Sequence, residues 1–178
     1  MFLDDQAEEL ANLLQAKKYR IVFAESCTAG LIASSMGRIP GVSSVLVGSS
    51  VVYQVPTKIQ WLNVNSEAID SDGVVSELVS QQMATGVLDA TPHANISASV
   101  TGHLGPGAPA EQDGIAWSAV CLRTANGVST TTRRLQLLSH SAADDGVEIR
   151  RTRQFDAARQ VMKFCTQILA SAEQATAL

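Results

Sequence analysis

The chain is poor in several residue types, and each shortage excludes a class of protein. Its 178 residues include three cysteines, Cys27, Cys121 and Cys165. An odd, widely spaced set builds neither a disulfide framework nor a zinc cluster, and it suits a reducing compartment. Aromatic residues make up 4%, too few for a platform on which single-stranded bases stack. Basic residues are the minority charge: 13 Lys and Arg against 17 Asp and Glu leave a formal charge of -4. That balance argues against a nucleic-acid backbone as partner. Long apolar runs are missing, so no segment is expected to span a bilayer. The first residues, Met1-Phe2-Leu3-Asp4-Asp5, are acidic and lack the basic and then apolar pattern of a signal peptide. A cytoplasmic location is the expectation. Asp4, Asp5, Asp144 and Asp145 do not converge with histidines at ligand spacing, so neither a metal nor another cofactor is expected.

What is present is an ordinary folding composition, with 46% apolar and 17% charged residues. It suits one domain over residues 1–178, without repeats or a dividing linker. Leu3, Ala7, Leu10, Leu13 and Leu14 recur at helical spacing and predict a helix over 3–17. A strand over 20–24, a helix over about 28–37 and a strand over 45–53 follow. Pro56 at a first helical position opens a short helix, 57–62, and 63–72 reads as polar loop. Ser76 is the N-cap of the next helix, and 94–100 alternates as a strand. Two β-prone runs, 114–124 and 128–138, flank Ala125-Asn126-Gly127 and predict a hairpin. A polar connection over 139–146 leads to a last helix, 147–172. The order predicts an α/β fold, a three-layer α/β/α sandwich with a mixed sheet and a late antiparallel hairpin.

Two strand-to-turn junctions carry the chemistry. At the first, Ala24-Glu25-Ser26-Cys27-Thr28-Ala29-Gly30 turns a strand into a helix, where free backbone N–H groups and a helix dipole are expected to favour negative charge. The second, Thr101-Gly102-His103-Leu104-Gly105-Pro106-Gly107, is rich in glycine. If their strands are parallel neighbours, both junctions lie at the carboxyl edge of the sheet, where open α/β sheets bind ligands. Ser26 needs a base to act as a nucleophile. His93, His103, His140 and Lys58 are the candidates, and Cys27 with His103 is a rival nucleophilic pair. Arg133, Arg134, Arg150, Arg151 and Arg153 are candidates for holding a phosphate or carboxylate. Residue types and spacing alone do not choose among them.

The first junction, Ala24-Glu25-Ser26-Cys27-Thr28-Ala29-Gly30-Leu31, resembles the signature of the CinA C-terminal domain family. The likeness continues through Tyr53 with Lys58, through Gly73-Val74-Val75-Ser76-Glu77, and through Thr101-Gly102-x-x-Gly105-Pro106-Gly107. It spans about residues 5–170. Many stand-alone members of that family are nicotinamide mononucleotide deamidases, so the resemblance implies hydrolysis of a carboxamide to the acid and ammonia. It implies Ser26 as nucleophile, Lys58 as its base, Tyr53 as an orienting or relaying group, and no metal. Cys27, Thr28, Gly30, Thr101, Gly102, Gly105 and Arg150 are then the expected substrate-binding positions. The partner is a small-molecule nucleotide, and, since family members are commonly oligomers, a homo-oligomer is a possible assembly. The alternative is a non-catalytic paralogue that binds a nucleotide or a protein. The chain departs from the family at Val55, where asparagine is usual, and at His103, Leu104 and Ala108 in the second loop. It has Gly146 after Asp144-Asp145, where Gly-Asp-Arg is frequent.

Overall fold

The computed structural model describes residues 3–138 and 145–172. Five strands form one sheet in the order β2-β1-β3-β4-β5: β1 Ile21–Glu25, β2 Leu46–Val51, β3 Ile96–Gly102, β4 Ile115–Thr124 and β5 Gly127–Gln136. β1 runs parallel to both β2 and β3, whereas β4 and β5 are antiparallel additions. The sheet is therefore mixed, and the expected hairpin is its last pair, closed by Ala125 and Asn126 between Thr124 and Gly127.

β1 is buried along its whole length, as a central strand covered on both faces must be. Its side chains alternate between two cores. Ile21 and Phe23 join one cluster with Leu10, Leu14, Ile32, Val161 and Phe164. Val22 and Ala24 join the other with Leu62, Val79, Met83 and Leu88. Helices α1 (Asp4–Lys17), α2 (Leu31–Met36) and α6 (Gly146–Ser171) cover the first face. Helices α3 (Val55–Leu62), α4 (Ser66–Asp72) and α5 (Glu77–Asp89) lie on the second. The three layers are those expected.

Two elements differ from the expectation. Residues 63–72 are not all loop, because Ser66–Asp72 forms α4. Asn65 caps it by accepting from the Glu67 amide, and Ala68 and Ile69 supply an inward side. Helix α2 starts at Leu31 rather than near Thr28, since Ala29 (φ 53°) and Gly30 (φ 93°) take left-handed backbone first. Smaller shifts move α3 back to Val55, so that Pro56 is its second residue, and extend β1 to Glu25. Ser76 is the N-cap of α5, accepting from the Val79 amide. The connection expected over 139–146 lies, through residue 144, outside the described residues. Helices α3 and α5 touch at Gly86, where an added Cβ would stand 1.9 Å from the Leu62 carbonyl oxygen.

Candidate active site

Parallel pairing sets Glu25 opposite Val100, so β1 and β3 end side by side and their two turns share one edge. The Ser26 amide donates to the Val100 carbonyl at 3.0 Å and ties the turns together. Between them opens a cavity of about 280 Å³, at the small end of the range for metabolite sites. Ser26, Cys27 and Lys58 line it, with Tyr53, Arg150 and the second loop.

Lys58 projects from α3 and is fully buried. Its Nζ lies 2.8 Å from Ser26 Oγ, 2.6 Å from the Val52 carbonyl and 3.3 Å from that of Tyr53. A buried ammonium loses hydration, and this pulls the Lys58 pKa down from 10.5 to about 8, against a small opposing pull from Cys27. With two N–H bonds given to the carbonyls, a neutral amine turns its lone pair to the Ser26 hydroxyl. A tripod of this kind is the geometry that a base for Ser26 requires.

The rival pairs fare differently. Burial pushes the Cys27 thiol up to about 12, which removes the thiolate that a nucleophile requires. Its sulfur packs against the second loop, 3.2 Å from where a Cβ on Gly102 would stand. That same Cβ would meet Ala116 Cβ at 2.6 Å, so only glycine fits between the two turns. His103 lines the cavity; His140 lies outside the described residues, and His93 sits on a distant exposed turn.

Glu25 is the residue whose importance the residue types did not signal. Its carboxylate is fully buried and accepts from Thr28 Oγ1, from the amides of Gly30, Ile32 and Ala33, and from Ser49 Oγ, all within 3.1 Å. The expectation of an outward-facing dipole is thereby corrected, because the first amides of α2 point inward to a carboxylate. Thr28 and Gly30 line no part of the cavity; the Thr28 hydroxyl and the Gly30 amide hold Glu25. The amides of Cys27 and Thr28, by contrast, donate to no protein acceptor among the described residues. An acid amid a glycine-containing turn was the only available signal for Glu25.

Arg150 closes the mouth. Its guanidinium donates to the Gly105 carbonyl and to the Tyr53 hydroxyl, both at 2.8 Å. Tyr53 thus meets Lys58 through its carbonyl and Arg150 through its phenol. Thr101 is buried, and its hydroxyl donates to the Val74 carbonyl, joining β3 to the segment before α5. Of the other arginines, Arg133 lies over the Phe164 ring and Arg151 pairs with Glu148, both away from the cavity. Lys58, Arg150 and His103 line the cavity, and no Asp or Glu does so among the described residues.

Comparison with known proteins agrees with this architecture. The chain is 38% identical over 136 residues to a CinA-like protein of Fervidobacterium nodosum, covering 75% of this chain and 33% of that protein. It therefore spans about a third of the length of the curated relatives it matches. Its fold is similar to that of the competence damage-inducible protein A of Klebsiella pneumoniae, with a TM-score of 0.85 at 24% identity, covering 97% and 100% of the two chains. The competence/damage inducible protein CihA of Agrobacterium tumefaciens gives a TM-score of 0.82 at 28% identity over 96% and 99%. The family model of the CinA C-terminal domain matches residues 3–163, and the chain belongs to that family.

Proposed function

We propose that the protein is an amidohydrolase that deamidates nicotinamide mononucleotide, or a close pyridine nucleotide, to the corresponding acid and ammonia. The observation that carries this reading is the 2.8 Å approach of a buried Lys58 amine to the Ser26 hydroxyl inside a cavity. A serine beside a neutral lysine is a nucleophile with its base in place.

Ser26 Oγ attacks the carboxamide carbon while its proton passes to Lys58. The carbonyl oxygen gains charge and is met by the amide of Cys27, which lines the cavity and donates to no backbone acceptor among the described residues. Collapse of the tetrahedral intermediate breaks the C–N bond. Lys58 returns the proton to the leaving nitrogen, and ammonia departs. Water then attacks the Ser26 ester with Lys58 as base, and the acid is released. Arg150 and His103, in a cavity lined by no carboxylate among the described residues, favour a substrate carrying a phosphate.

Ammonia release from nicotinamide mononucleotide tests the proposal, with Ser26→Ala as the control. Release that depends on Ser26 is the expected result. Equal release by both proteins, or none by either, overturns it.

A further inference from the structure

The second wall of the cavity is the long connection between β3 and β4, residues 103–114, and one ion pair, buried on its arginine side and half-buried on its aspartate side, runs beneath it. Arg153 on α6 is 4% exposed. Its NH1 and NH2 meet Asp113 Oδ1 and Oδ2, each at 2.7 Å. The same guanidinium donates from NH1 to the Leu104 carbonyl and from Nε to the Leu138 carbonyl, both at 3.2 Å. The loop is moulded around this fork. A Cβ on Gly105 (φ +63°) would stand 2.7 Å from Asp113 Oδ1 and 2.8 Å from Arg153 NH1, and one on Gly114 (φ +70°) would stand 3.0 Å from NH2. Arg150, one turn earlier on α6, takes the next carbonyl along, that of Gly105.

We infer that Arg153, oriented by Asp113, is the positioning residue that sets the glycine-loop wall at its working distance from Ser26 and Lys58; this rests on the deamidase reading of the cavity. An ion pair with one partner buried contributes little net stability, since desolvation of the buried charge offsets attraction. What a bidentate guanidinium supplies is direction, because a planar fork fixes a carboxylate and two carbonyls at once. Leu104 and Gly105 are thereby held by two arginines of one helix, and His103, Pro106 and Gly107 follow them into the cavity wall. Arg153 itself does not line the cavity, so it acts through the loop.

Asp113→Asn and Arg153→Lys test the assignment. The first keeps side-chain size, and the second keeps charge but not the fork. Hydrogen exchange of the substrate-free protein is expected to accelerate roughly tenfold or more over residues 103–114 in both variants, while peptides from β1 and α5 keep their rates. In steady-state deamidation, KM is expected to rise about tenfold while kcat changes by less than about threefold, the mark of lost binding geometry rather than lost chemistry. Unchanged loop exchange in Asp113→Asn overturns the inference. Acceleration spread evenly across the sheet also overturns it, because the pair would then support the whole fold. If the unmodified protein releases no ammonia, the deamidase reading falls, and the exchange comparison alone decides whether Arg153 positions the loop.

Discussion

If Lys58 is the base, the rate of deamidation is a titration of that one amine. The pKa of about 8 leaves roughly a tenth of the lysine neutral at pH 7 and roughly a hundredth at pH 6. kcat/KM for ammonia release should therefore climb nearly tenfold per pH unit below about 7.5 and level off above about 8.5. Measurements between pH 6.5 and 9.5 keep most of the substrate's own phosphate titration out of the curve. A histidine base would instead bring the plateau near pH 7. The same depression has a stability signature of definite sign. The folded-state pKa lies below the unfolded value of 10.5, so between about 8 and 10.5 the unfolded chain binds more protons. Stability must then rise with pH across that window, by roughly 3 kcal/mol in total. Urea unfolding of the protein and of Lys58→Met at pH 7.5 and 10.5 isolates this component as the difference between the two. A rate profile that is flat from pH 6.5 to 8.5, or one still rising at pH 10, refutes the assignment of Lys58.

Ser26→Ala should lower kcat by about three orders of magnitude or more, whereas Cys27→Ala should keep kcat within about tenfold, because the buried thiol packs rather than reacts; single-turnover assays separate the two. Glu25→Ala strips the acceptor from five donors and should cost roughly 3 kcal/mol or more. A thermal melt should fall by roughly 6–12 °C in a chain of this size. Gly86→Ala forces a methyl group into the Leu62 carbonyl at the contact of α3 with α5. It should destabilise by about 2 kcal/mol or more, read as a lowered urea midpoint. Since α3 carries Lys58, activity should fall as well.

Much of this arrangement was legible in the residues, for identifiable reasons. The alternation of strands and helices predicts the layers, and the apolar run of β1 marks a strand buried on both faces. Asn126-Gly127 marks the hairpin. The two turns share one edge if their strands are parallel neighbours, and the register of β1 with β3 makes them so. Lys58 was different. Residue types alone treated it as one basic side chain on a short helix, and only the family resemblance singled it out, because burial is decided by long-range packing. Glu25 and Asp113 were missed as parts of the site, and Arg153 was one of five arginines that the residue types left undistinguished. Arg153 meets Asp113 40 positions away and Leu104 49 positions away, separations that no local periodicity reports. Thr28 and Gly30 were expected at the substrate, but their side-chain hydroxyl and amide serve Glu25 instead.

The pairing of β1 with β3 has a consequence beyond support. Strand residues advance by about 3.3 Å, and a slip of one position exchanges the two faces of a strand. A slip of β1 would send Phe23 into the layer built around Met83 and carry Ser26 out of reach of Lys58. An intermediate in which β1 is misaligned against β2, the strand that leads into Val52, Tyr53 and Lys58, cannot therefore retain the 2.8 Å contact. Catalytic competence would arrive all at once, with the last correct step of sheet assembly. Recovery of activity during refolding would then serve as a clock for strand alignment, one that collapse or helix content alone could not set running.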